Sequence, residues 1–219
     1  MSYPHLYTLL GSVLILFGVI EGGWMLLLAW FGCDFFALAI AHAKGWHGVF
    51  GKRRDGTLPL WSRLLFFPLQ AYNAIFWHLV RFFRREPARN AITEDLVMGR
   101  RLLSFELDDE FENYLDLTGE YAEPRAIRRS ASYRCFPILD GGAPTPEALR
   151  EAVNSLRPGR TYIHCAQGHG RAGLFTLAVL LDSGLVRNVE DGFRMLKAIR
   201  PGIHLSQEQR RCIQAFAIS

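Results

Sequence analysis

The first 43 residues contain no lysine and no arginine, and their only acids are Glu21 and Asp34. A stretch that long without a cation argues against a basic nucleic-acid arm and against the charged start of a secretory signal peptide. Cysteine is also scarce. Cys33, Cys135, Cys165 and Cys212 form no C-x-x-C pair, and four cysteines in 219 residues are too few for a small disulfide scaffold. They fit a reducing compartment, or thiols that do not pair. Internal repeats and low-complexity tracts are missing too. So is the interleaving of aromatic and basic residues that lines a nucleic-acid groove, and no nucleic-acid partner is expected.

What the N-terminus does have is apolar length. Residues 3–20 (YPHLYTLLGSVLILFGVI) and 24–41 (WMLLLAWFGCDFFALAIA) are two apolar runs of 18 residues, separated by Glu21-Gly22-Gly23. A membrane-spanning helix needs about 20 residues, so two short spans joined by a tight turn predict a transmembrane helical hairpin over 1–43. A hairpin buried in a soluble core is the weaker alternative, because polar residues do not recur here at the helical period. The formal net charge is +4, and the cations begin abruptly with Lys44, Lys52, Arg53, Arg54 and Arg63. By the positive-inside rule that cluster stays cytoplasmic, and a hairpin then leaves the N-terminus inside as well. The chain is therefore expected to be an integral membrane protein with its catalytic part in the cytoplasm.

Residues 44–90 form a basic juxtamembrane linker around a third apolar stretch, 60–83 (LWSRLLFFPLQAYNAIFWHLVRFF). Arg63, Gln70, Asn73, His78 and Arg81 interrupt it, Pro68 should kink it, and Arg84, Arg85 and Arg89 follow. Cations at both ends conflict with spanning. An interfacial helix with Trp61 and Trp77 at headgroup level avoids the conflict.

Residues 91–219 read as a soluble α/β domain. AITEDLVMGRRL is strand, turn, strand; 113–118, 133–139 and 160–165 are buried strands. Helices are expected over 146–156, with Thr145 as N-cap and Pro146 in the first turn, and over 171–181, 189–199 and 206–216. Strands alternating with helices predict a central, mostly parallel sheet flanked by helices.

The chemistry is concentrated in YIHCAQGHGRAGL, residues 162–174. Cys165 ends a strand, where open α/β sheets place their ligands. Ala166, Gln167, Gly168, His169 and Gly170 then turn so that successive N–H groups make an anion nest, closed by the positive end of the next helix. The guanidinium of Arg171 can hold two oxygens at once. Such a cradle binds phosphate and favours a thiolate at its centre, which makes Cys165 a nucleophile toward phosphorus. The pattern calls for no metal and no cofactor. The leaving oxygen needs a proton, and Asp140, at the end of an apolar strand before Gly141-Gly142, is placed to supply it. By spacing alone Asp140 serves equally as an Asx-turn residue. His169 either touches substrate or is solvated. His164 either orients the loop or is an ordinary buried histidine.

The string H-C-x-x-G-x-G-R resembles the signature of the cysteine-dependent protein phosphatases, in particular the compact dual-specificity branch. YLDLTGEYAEP, FPILDGGAPT and IRPGIHLSQEQ are similar to three further blocks of that family, in the family's order, so the resemblance covers about 92–216. It implies a phosphoric monoester hydrolase with a cysteinyl-phosphate intermediate, Cys165 as nucleophile, Arg171 as phosphate clamp and Asp140 as general acid. It also implies that His164 orients the loop. One departure stands out: Ala172 replaces the family's usual serine or threonine, a hydroxyl that helps the sulfur leave. Gln209 matches a family glutamine, though its sequence context reads as a surface helix position. The expected substrate is a phosphorylated protein carrying phosphotyrosine or phosphoserine. A phospholipid monoester at the inner membrane surface is the first alternative, and a low-activity pseudophosphatase or phosphate-binding scaffold, suggested by Ala172, is the second. Inositol lipids with several phosphates are disfavoured because Ala166, Gln167 and His169 bring no lysine into the loop.

Overall fold

The computed structural model describes residues 2–84, 86–107 and 111–218. Two compact units emerge. One contains residues up to 52, 58–85 and 119–121; the other contains 53–57, 86–118 and 122–219.

In the first unit, α1 (Tyr3–Glu21) and α2 (Leu26–Ala43) pack along each other. Gly22 and Gly23 adopt positive φ and lead into a short 3-10 turn, which reverses the chain. The helices approach closely because glycines face each other at the crossing. A Cβ on Gly11 would lie 2.8 Å from the Gly32 carbonyl oxygen, and one on Gly32 would lie 2.7 Å from that of Gly11. Small residues at a helix crossing are the means by which apolar helices gain contact where water does not drive them together. Leu9, Val13, Leu16, Phe17, Ile20, Leu26 and Leu27 point outward and are exposed. Both Tyr3–Glu21 and Gly23–Ala43 are long and apolar enough to cross a membrane.

The stretch 60–83 is not one helix. It divides into α3 (Leu60–Leu65) and α4 (Phe67–Phe83), with the break at Phe66 and Pro68 in the first turn of α4. Pro68 is tolerated there because the first N–H groups of a helix have no partner within it. The break is held from α2. Trp30 Nε1 donates to the Leu65 carbonyl at 2.8 Å, and the buried Asp34 carboxylate accepts from the Leu69 N–H at 3.2 Å. The one acid inside the second apolar run is therefore a cap for another helix. Tyr121, in the small 119–121 segment of this unit, donates its hydroxyl to the Asn73 carbonyl at 2.9 Å. Of the cations flanking 60–83, Arg85 lies outside the described residues.

The second unit is built on a five-stranded sheet in the order β1-β2-β5-β3-β4. β1 (Arg89–Ala91) pairs antiparallel with β2 (Leu96–Arg100), which runs parallel to β5 (Thr161–Cys165). β5 is parallel to β3 (Asn113–Thr118), and β3 to β4 (Tyr133–Ile138). Alternation along the strands decides the faces. Leu96, Met98, Leu115, Leu117, Ile163 and Cys165 point into the larger core, under α6 (Pro146–Asn154), α7 (Gly170–Asp182), α8 (Val189–Ile199) and α9 (Gln207–Ile218). Val97, Tyr114 and Tyr162 point the other way, against Leu102, Phe111 and Ile127 of the short α5 (Arg125–Arg128). The expected mostly parallel sheet flanked by helices is what forms. Thr145 caps α6 as expected, its hydroxyl accepting from the Ala148 N–H at 3.2 Å.

Candidate active site

β5 is the central strand, and its C-terminal end delivers Cys165 to the mouth of the sheet. The sulfur is buried and accepts the Gly168 N–H at 3.2 Å. Gly168 has φ +72, and a Cβ there would collide with the Gly99 backbone, so glycine is required twice over. The loop ends where α7 begins, with the helix start at Gly170 behind it. Arg171 is 1% exposed, in the first turn of α7. Its Nη1 donates to the Ile138 carbonyl at 3.1 Å, and its Nη2 lies 3.3 Å from Asp140 Oδ1. Asp140 follows β4, with its side chain 81% exposed. Of the three residues expected to carry the chemistry, Cys165 and Arg171 stand at the two ends of one short loop, and Arg171 meets Asp140 from the loop after β4.

His164 is buried with its ring 4.9 Å from that of Tyr114 and stacked on Tyr162 at 5.7 Å. Its Nε2 lies 3.8 Å from Asp116 Oδ1. Asp116, Glu123 and His164 form a buried group whose ligand atoms lie within 4.8 Å of one another. The acids are already engaged. Arg101 Nε meets Glu123 Oε1 at 2.7 Å, and Asp116 accepts from Thr118 N–H, Thr118 hydroxyl and Tyr133 hydroxyl. Burial and the neighbouring Asp116 push the Tyr133 phenol pKa far above its usual value, keeping it a donor.

His169 corrects the sequence reading on the solvated side. It is 4% exposed, and its Nε2 lies 2.6 Å from Glu86 Oε2. Gln209 corrects it too, being 1% exposed rather than on a surface. Its amide donates to the Gly142 carbonyl at 3.1 Å, and Ser206 Oγ donates to the Gly141 carbonyl at 2.6 Å. These two residues hold the loop that carries Asp140. They also hold each other: Gln209 Oε1 accepts the Ser206 N–H and Ser206 Oγ accepts the Gln209 N–H, a capping box at the start of α9. The S-x-x-Q spacing that marks such a box was legible in the sequence; its reach to Gly141 and Gly142 was not. Arg200 lies in the block IRPGIHLSQEQ that resembles the family, but sequence reasoning assigned it no role. It is buried against the loop, its Nε donating to the Gly168 carbonyl at 2.8 Å. Burial lowers its pKa, and Glu86 opposes that shift.

With this geometry in place, the likeness to known proteins is specific. No family model matches the chain. It is 28% identical over 192 residues to the phosphatidylglycerophosphate phosphatase PTPMT2 of Arabidopsis thaliana, with 80% of each chain covered. Among solved structures, Tk-PTP in the active form superposes with a TM-score of 0.54 at 24% identity, covering 60% of this chain and 97% of that one. PTPMT1 in complex with PI(5)P gives 0.52 at 16% identity, covering 60% and 96%. Human DUSP28 gives 0.51 at 12% identity, covering 60% and 94%. The chain's structural neighbours are cysteine phosphatases of the tyrosine and dual-specificity type, and the second unit has their fold.

Proposed function

We propose that this chain is a membrane-anchored, cysteine-dependent phosphatase that hydrolyses phosphate monoesters, with a phospholipid monoester as its substrate. The observation that supports the reaction is one short loop with Cys165 at its start, the Gly168 N–H on the sulfur, and at its end Arg171 paired with Asp140 at 3.3 Å. The thiolate of Cys165 attacks phosphorus while the N–H groups of the loop and Arg171 hold the non-bridging oxygens. The bond to the leaving oxygen breaks, and Asp140 gives that oxygen its proton. Water then attacks the cysteinyl-phosphate, Asp140 takes the water's proton, and the sulfur leaves as thiolate.

Lipid takes precedence over phosphoprotein here, reversing the order expected from sequence. Two features support it. The chain has two outward-apolar helices suited to a bilayer, and a similar protein is named for a phospholipid substrate. The cations that follow α2 favour a cytoplasmic catalytic unit. The test is full-length protein in phosphatidylcholine vesicles, given phosphatidylglycerophosphate in one arm and a phosphotyrosine peptide in the other. The lipid arm should give the higher kcat/KM, and the protein should stay with the vesicles through high salt and alkali. Preference for the peptide would return the substrate to phosphoprotein. Release by salt would remove the anchor.

Ala172 modifies the second step. It is fully buried in the apolar cluster that contains Cys165, so no hydroxyl is offered to the sulfur from that position. A hydroxyl bond to a charged group contributes about 1.5–3 kcal/mol, or roughly ten- to a hundredfold in rate. The natural protein should therefore accumulate cysteinyl-phosphate and show a pre-steady-state burst. Ala172→Ser should raise kcat and suppress that burst. Rapid mixing that finds no burst, together with an unchanged kcat in the variant, would show that another group stabilises the departing sulfur.

A further inference from the structure

Behind the phosphate loop lies a set of polar groups that take no direct part in this chemistry. Besides its bond to Gly168, Arg200 donates from Nη2 to the Gln167 carbonyl at 3.1 Å. From Nη1 it donates to the Pro87 carbonyl at 2.9 Å and to Asn90 Oδ1 at 2.7 Å. Glu86 Oε2 lies 3.0 Å from Arg200 Nη2 and 2.6 Å from His169 Nε2. One carboxylate therefore bridges a side chain of the loop and the guanidinium that holds two of the loop's carbonyls. The Arg-Pro-Gly turn leaves room for this bridge. A Cβ on Gly202 would lie 2.5 Å from His169 Nε2 and 3.0 Å from Glu86 Oε1.

The physical need for such a bridge follows from the nest. N–H groups that point inward at an anion leave their neighbouring carbonyls pointing outward, and buried carbonyls need donors. Arg200 supplies donors to Gln167 and Gly168, but it brings a buried positive charge close to His169. The ring of His204 lies 6.1 Å from that of His169 and adds another titratable group. Glu86 is the counter-charge between His169 and Arg200.

We infer that Glu86 is a positioning residue of the phosphate loop, acting through His169 and Arg200 to keep the loop's carbonyls outward and its N–H groups on the substrate phosphate. The inference rests on the phosphatase reading for its kinetic consequence, though not for its binding consequence.

The test uses full-length protein in detergent, p-nitrophenyl phosphate as substrate and inorganic phosphate as competing ligand. Loss of a charged partner of the loop in Glu86→Gln should raise KM and the phosphate inhibition constant together by about tenfold, with a smaller fall in kcat. Adding His169→Gln to Glu86→Gln should cost much less than the two single losses added together, because both act through one bridge. A merely structural role predicts losses that add and that fall on kcat as much as on KM. Gly202→Ala pushes the bridge apart without changing any charge, so it should raise KM and the inhibition constant in the same way. It also carries the test if Glu86→Gln does not fold. KM and phosphate inhibition within about twofold of the natural protein in both variants would overturn the inference. If the natural protein binds phosphate calorimetrically but never turns over, the phosphatase reading fails. The same variants then still decide the clamp through their phosphate affinity.

Discussion

Cys165→Ser is expected to abolish turnover while phosphate binding survives. The reason lies in how the site divides its labour. In the proposed reaction, binding comes from backbone N–H groups of residues 166–170, from the start of α7 and from Arg171, none of which the substitution touches. Attack and departure both need sulfur, because an alkoxide is a far poorer leaving group and is hardly populated at neutral pH. Oxygen is smaller than sulfur and can accept the Gly168 N–H that now reaches Cys165, so the loop should keep its shape. Arg171→Lys is the contrasting variant. The guanidinium spans the Ile138 carbonyl and Asp140 from two nitrogens, which a single ammonium cannot reproduce. It should weaken binding and turnover together. Isothermal titration with inorganic phosphate and release of p-nitrophenol give the two readouts. Turnover above background in Cys165→Ser would remove the cysteinyl-phosphate mechanism outright.

Asp140→Asn should separate substrates by leaving group. Proton donation is worth roughly 10²–10⁴-fold when the leaving oxygen is a strong base, and little when it departs easily as an anion. Alkyl phosphates, including a glycerol phosphate ester in a lipid, should therefore suffer by a factor in that range. Aryl esters with acidic leaving groups should change little. Asn keeps the shape of the side chain, and the loop has independent anchors in Ser206 and Gln209, so backbone placement should persist. A similar loss on both classes of ester would mean that Asp140 shapes the loop rather than donating a proton. Gln209→Ala offers an internal check. Its effect should fall on the same poor leaving groups, because it loosens the loop that aims Asp140 without altering the nucleophile.

Much of the catalytic unit was legible from local patterns. Period-2 alternation in β3 and β5 separates Leu115 and Ile163 from Tyr114 and Tyr162, and the structure puts these pairs on opposite faces as the pleat demands. Thr145-Pro146 announces the start of α6 in the same way, because capping is an interaction within four residues. The stretch 60–83 was only half legible. Pro68 signalled an interruption, but where the helix breaks depends on Trp30 and Asp34 of another helix, 35 residues away in each case.

The sequence by itself determined the local frame of the proposed phosphate loop. A cysteine at a strand end, five residues that can turn, an arginine and a helix make an anion cradle from short-range geometry alone, and Gly168 at φ +72 is its signature. It also determined the apolar hairpin, since length and composition suffice for that. The tertiary structure decided what steadies the loop and what aims the acid. Glu86 is 83 residues from His169, Arg200 is 32 from Gly168, and Ser206 is 65 from Gly141. Glutamate, arginine and serine are common on surfaces, and only the tertiary fold brings the segments before β1, after α8 and before α9 to the loops that hold Gly168, His169 and Gly141. Arg200 and Ser206 answer to carbonyls that lose water as the chain folds, and Glu86 answers to the charge that Arg200 brings with it, costs that exist only in the folded chain.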